Sequence, residues 1–186
     1  MQTSPQLAVF LGRLGSIVGG ELKPAQLWRM RTQFALLLAD PTLDEELLTH
    51  ITDSSLRGDD KETSIAAARE RARVASDAIS HVGLAEILMF YNERSEALEN
   101  LETAVGLALQ QGRLVKYAHV AQLRACGALG EVSVAERAMQ ALLAYLRAGE
   151  FAAHDTKLEL DIVEPLRRMG VREELLQSYL SFAAAL

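Results

Sequence analysis

The side chains of this 186-residue chain that could perform chemistry are four histidines, one cysteine and a group of carboxylates. Zinc and di-iron sites in helical proteins need ligands at short fixed spacings, such as His-Glu-x-x-His or Glu-x-x-His. None of the histidines has a partner at such a spacing; they are His50, His81, His119 and His154. We therefore predict no metal ion and no catalytic site built on histidine.

The carboxylates and the cysteine also lack a catalytic or ligand-binding pattern. The acidic residues of segment 155–164 fit a solvated helix face. The segment that starts at Asp53 resembles a calcium loop, but its twelfth position is Ser64, where a bidentate glutamate is required. Cys126 lies among apolar residues, and we interpret it as a small core residue. No glycine-rich phosphate loop occurs, so we predict no cofactor.

Composition and charge narrow the class of partner. Apolar residues make up 49% of the chain, only four prolines occur, and the net charge is −6. This composition favours a helical globular protein, and its charge argues against a nucleic acid or an anionic membrane as partner. The apolar run 7–18 contains Arg13 and is too short to cross a bilayer. A cytoplasmic location is the default expectation.

Capping residues and glycines divide the sequence into helices. Residues 1–60 predict about three helices and a polar loop, which we place at 53–63. Residues 61–186 predict a region of helical hairpins, and the two regions form one compact unit. The stretch 64–91 reads as one helix, or as two that break near 81–83, and capping boxes start helices at 42–45 and 133–136. The later helices end at glycines: Gly112, Gly130, Gly149 and Gly170.

The hairpins show an internal repeat. Ser95 and Ser133 are 38 positions apart, and Gly170 follows Ser133 by 37. With this offset, three positions in the second helix of one hairpin align with three positions in the second helix of each of the next two hairpins. The three sets are Ala97, Leu101 and Ala104; Ala135, Met139 and Leu142; and Arg172, Leu176 and Tyr179. Such periods are typical of helical solenoids, whose units bury one face by stacking.

The best-defined unit, Leu84 to Ala104, resembles a tetratricopeptide repeat. Its first helix has a large apolar residue followed by a small one, Leu84-Ala85, and its second helix carries Ala97, Leu101 and Ala104. The resemblance covers this unit well and two others loosely. It implies an all-α fold of antiparallel hairpins stacked as a short α-solenoid, with an N-terminal helical subdomain. An irregular helical bundle is the alternative.

The resemblance also implies a binding surface. In such repeats the exposed side of the first helix lines a concave groove that takes an extended or helical peptide. The corresponding residues here are Ile79, Val82, Glu86, Met89 and Phe90. The N-terminal helices or a second subunit could instead cover this face. Trp28, beside two arginines, is a candidate interface anchor or a core residue with a charged border.

From the sequence we predict a non-enzymatic protein-protein interaction module: an adaptor, a chaperone or a regulatory subunit that binds a partner segment in an apolar groove. The alternative is a small-molecule sensor, or an enzyme without a cofactor, with a pocket in the bundle core. A homodimer that uses the groove as its own interface is a third reading.

Overall fold

Helices are the only regular elements in the part of the chain that the structure, a computed structural model, describes: residues 32–38, 43–149 and 159–185. This confirms the all-α class. Residues 32–38 are helical. The elements that follow are α1 (Glu45–Arg57), α2 (Lys61–Ala75), α3 (Ala78–Phe90), α4 (Arg94–Gln111), α5 (Val115–Leu129), α6 (Val132–Ala148), a 3-10 turn (Leu160–Ile162), α7 (Val163–Met169) and α8 (Glu173–Ala185).

Aspartates begin the first three numbered helices, and glycines end four of the later ones. The carboxylates of Asp44, Asp60 and Asp77 each accept a hydrogen bond from a backbone N–H in the first turn, which satisfies a donor with no partner inside the helix. The helices α4 to α7 end at the four glycines named from the sequence, each with a positive φ. The predicted glycine stops are therefore confirmed.

The predicted polar loop at 53–63 is wrong for most of its length. Helix α1 continues to Arg57, and the connection to α2 is only Gly58–Asp60. The polar sequence predicts an exposed loop, but polar residues also belong to the buried face of α1, which includes Thr52 and Ser55 beside apolar side chains. The Thr52 hydroxyl donates to the carbonyl of Leu48 at 2.7 Å, so it is buried with its hydrogen bond satisfied.

Two further boundaries differ from the sequence prediction. The break in 64–91 lies at Ser76 and Asp77, where Ser76 has a φ of 47° and Asp77 caps α3, and residues 81–83 are helical. The capping box predicted at 133–136 is not formed: α6 begins at Val132, and the Glu136 carboxylate accepts instead from the backbone N–H of Arg172 at 3.0 Å. Thr42, of the other predicted box, lies outside the described residues.

Each numbered helix packs against the next. From α1 to α6, and between α7 and α8, the connections are only two or three residues long, which makes these neighbours antiparallel. Contacts also join alternate helices: α3 with α5, α5 with α7, and α6 with α8. The buried apolar residues form three clusters in chain order: around 32–38 and α1, between α2 and α5, and between α5 and α8. Helix α5 takes part in the second and third clusters, so only one side of it remains for solvent.

Candidate functional site

The predicted groove residues lie on or beside a pocket between α3 and α5. The pocket has a volume of about 310 Å³, and Val82, Glu86 and Met89 line it. Ile79 and Phe90 do not; they are exposed on α3, with 44% and 66% of their surface accessible. Trp28, the candidate interface anchor, falls outside the described ranges. The structure thus brings three of the five groove residues together.

Buried apolar residues make the floor of the pocket, and exposed residues, among them Glu86, Tyr117 and Arg124, stand at its rim. Its lining residues are Val82, Ala85, Glu86 and Met89 of α3, Leu101 of α4, and Tyr117, Ala121, Arg124, Ala125 and Ala128 of α5. The α5 residues extend from Tyr117 to Ala128, about 16 Å along the axis at ~1.5 Å per residue. The pocket is therefore an elongated depression between two helices, which we call the α3–α5 groove.

Helical periodicity explains why α5 presents this stripe. Tyr117, Ala121, Arg124 and Ala128 recur every three or four residues and so share one face of the helix. Other faces of α5 are buried, through residues such as Ala118 in one core cluster and Leu123 in the next. Nothing in the described part of the chain covers the stripe, since Tyr117, Arg124 and Ala128 are all exposed.

The two charged residues of the groove, Arg124 and Glu86, differ in whether they form an ion pair with a described residue. Arg124 donates to the Asp161 carboxylate from Nη2 at 2.9 Å and from Nε at 3.2 Å. Glu86 is exposed and forms no ion pair with any lysine, arginine or histidine that the structure describes. Burial, and then the negative charge of Glu86, raises the pKa of Tyr117 above its ordinary value. The groove therefore carries one neutralised cation and one unneutralised anion.

Asp161 is held in place by the 3-10 segment around it. Lys116, which is buried, lies with its Nζ 3.6 Å from Glu159 Oε1. The hydroxyl of Tyr179 donates to the backbone carbonyl of Glu159 at 3.2 Å. These contacts fasten the segment to α5 and α8, and the exposed Arg124–Asp161 pair lies beside them.

The repeat offset identifies groove residues that the sequence analysis missed. Adding 38 to Ile79, Glu86 and Phe90 gives Tyr117, Arg124 and Ala128, and all three line the groove. The nine positions aligned from the sequence all belong to the predicted second helices of the hairpins. Applied to the five predicted groove residues of α3, the offset gives three of the five α5 residues that line the pocket, and also Val120 and Gly127, which do not.

The residues considered for chemistry are not brought together. His50 is exposed, and His81 Nδ1 lies 3.0 Å from Asn100 Oδ1. His119 is buried, and burial lowers its pKa to about 4. His154 falls outside the described ranges. Cys126 is fully buried, which fits its interpretation as a core residue, and burial raises its pKa to about 11. Within the described ranges no group of three or more histidine, cysteine or acidic side chains could hold a metal ion.

Comparison with known proteins adds no assignment. No protein-family model, characterised protein or solved structure matches the chain. Among the helices described here, none is long and apolar enough to span a membrane. What the groove can do must therefore be argued from its own residues.

Proposed function

We propose that this chain is a non-enzymatic interaction module whose α3–α5 groove binds a segment of another protein. The observation that carries the proposal is an open groove about 16 Å long, at ~1.5 Å of rise per residue, lined mainly by apolar side chains. Ile79 and Phe90, exposed on the same helix as the α3 wall, extend the apolar surface beyond the pocket. Grooves between helices with spaced apolar contacts are a recurring way to bind peptide segments.

A stack of tetratricopeptide-like hairpins is the architecture we propose for the chain. Burial supports it, because eight of the nine residues aligned by the 37–38-residue offset are buried, and only Arg172 is exposed. The contacts of α3 with α5 and of α5 with α7 are those expected between the first helices of successive hairpins. In such a stack the α3–α5 groove lies on the side formed by first helices.

The shape of the groove favours a protein segment over a small molecule. Its volume of about 310 Å³ is at the lower end of the range for ligand pockets, about 300–1,000 Å³. Its polar side chains, Glu86, Tyr117 and Arg124, stand exposed at the rim. A sensor or enzyme pocket in the bundle core would instead place convergent polar groups inside an enclosed site.

The proposal is tested by filling the groove without disturbing the core. Ala128 is exposed and lines the groove, so Ala128→Leu adds bulk there at little cost in stability. Ala144→Leu makes the same change at an exposed position of α6 and is the matched control. Met89 is less suitable, since it packs against the core cluster and a charge there would destabilise the fold.

The measurement is affinity capture from the native cell with the unmodified chain, Ala128→Leu and Ala144→Leu, after thermal melts have shown that all three fold. We expect one partner to be retained by the unmodified chain and Ala144→Leu and lost by Ala128→Leu. Equal capture by both variants would contradict the proposal. A dimer in light scattering that dissociates only in Ala128→Leu would show instead that a second copy of the chain fills the groove.

A further inference from the structure

We infer that the segment bound in the α3–α5 groove is basic, and that it places a lysine or arginine against Glu86 beside an apolar side chain in the pocket. This inference rests on the proposed function and adds the chemistry of the partner. It follows from a difference between the two charged residues that line the groove: Arg124 has an ion-pair partner, whereas Glu86 has none among the described residues.

Arg124 already has its counter-charge. Two of its nitrogens donate to Asp161 Oδ2, at 2.9 and 3.2 Å. Asp161 follows Glu159, which is tied to α5 through Lys116 and to α8 through Tyr179. An acidic partner would have to compete with a carboxylate that the fold holds beside Arg124, and would gain little by doing so.

Glu86 has no counter-charge among the described residues, and a bound segment would change its surroundings. The side chain shares the groove with Val82 and Met89, and an apolar partner seated there would remove water from the carboxylate. Burying an unpaired charge is costly, whereas a cation placed against it offsets that cost. Glu86 therefore discriminates against neutral and acidic segments.

The charge of the whole chain agrees with this inference. The whole chain carries a net charge of −6, which would speed the approach of a cationic segment. The proposed partner is thus a peptide segment with apolar side chains and an adjacent Lys or Arg.

The inference is tested by selecting random 16-residue peptides displayed on phage against the full chain. Glu86→Lys reverses the charge in the groove, and Glu99→Lys makes the same change at an exposed position of α4 that is not part of the groove. We expect the unmodified chain and Glu99→Lys to enrich peptides with apolar residues and Lys or Arg. Glu86→Lys should enrich peptides with Asp or Glu instead.

Binding of one selected peptide, measured by fluorescence anisotropy, gives the size of the effect. We expect Glu86→Gln to weaken binding at least about fivefold, because that is the upper range for a solvent-accessible ion pair and the bound segment removes water from this one. Glu86→Lys should weaken it by more than about tenfold, and Glu99→Lys by less than about twofold. Raising the salt concentration should reduce the difference between the unmodified chain and Glu86→Gln.

The outcomes separate this inference from the proposed function. If Ala128→Leu abolishes peptide binding while Glu86→Lys leaves the selected sequences and affinities unchanged, the groove binds peptides but the basic partner is wrong. If no peptide binds the unmodified chain, or if Ala128→Leu has no effect on binding, both the groove and its partner chemistry are refuted.

Discussion

His119 gives the sharpest stability prediction, because it is a buried imidazole without a counter-charge. Only 2% of its surface is accessible, and its Nδ1 is buried with no hydrogen-bond partner among the described residues. Burial disfavours the protonated form and lowers the pKa from 6.5 to about 4. The folded chain therefore resists a proton that the unfolded chain accepts.

The sign and size of the effect follow from linkage. Between pH 6.5 and about 4 the unfolded state binds more protons at this site, so the free energy of unfolding falls as the pH falls. At ~1.4 kcal/mol per pH unit the full loss is about 3 kcal/mol, and about 2 kcal/mol of it occurs by pH 5. Carboxylates such as Glu96, whose pKa is lowered by its hydrogen bond with Arg69, titrate mainly below this window.

The assay is urea unfolding followed by circular dichroism at pH 7, 6 and 5. His119→Leu removes both the titration and the unpaired nitrogen, so we expect higher stability at pH 7 and a shallower pH dependence. His119→Gln removes the titration but keeps a buried polar group. We therefore expect it to lose the pH dependence without becoming more stable at pH 7. Parallel curves for the unmodified chain and His119→Leu between pH 7 and 5 would refute the reasoning.

Three other predictions concern backbone, core and thiol. In chemical unfolding, Gly106→Ala should stabilise the fold by ~0.5–1 kcal/mol, because Gly106 lies in the interior of α4 with open space around it. Gly112→Ala should destabilise the fold by ~1 kcal/mol, because Gly112 ends the same helix with a φ of +62°. Leu88→Ala, at a fully buried site of α3 in the cluster between α2 and α5, should cost ~2–5 kcal/mol in the same assay, and a loss below ~1 kcal/mol would contradict the packing. Cys126 should react with a disulfide reagent at pH 8 only as fast as the native state opens, and immediate reaction would show that the thiol is exposed.

The sequence predicted the helical class and the later helix ends because local chemistry decides them. A glycine in the left-handed conformation ends a helix whatever packs around it, as at Gly130 and Gly170. The end of α1 was missed because the buried positions that extend it include Thr52 and Ser55, whose burial depends on their neighbours in space. The break between α2 and α3, predicted near 81–83 as one of two alternatives, lies instead at Ser76, because Ser76 takes a positive φ that is uncommon for a serine.

The groove was predictable in part. Val82, Glu86 and Met89 followed from the resemblance to a tetratricopeptide repeat, whereas Ile79 and Phe90, implied by the same resemblance, lie outside the pocket. Part of the α5 wall follows from the 38-residue offset seen in the sequence, which relates Glu86 to Arg124. The pairing of Arg124 with Asp161 does not, because it depends on how the 3-10 segment folds back onto α5.

The most direct test of the central claim, that the α3–α5 groove holds a partner segment, is site-specific photo-crosslinking in the native cell. A photoreactive amino acid replaces Tyr117, which is exposed in the groove, or Leu109, which is exposed on α4 and is not part of it. We predict that position 117 gives a crosslink to another protein, that the Ala128→Leu change removes this crosslink, and that position 109 gives none. A crosslink from 109 with none from 117, or one from 117 that persists with Ala128→Leu, would contradict the claim.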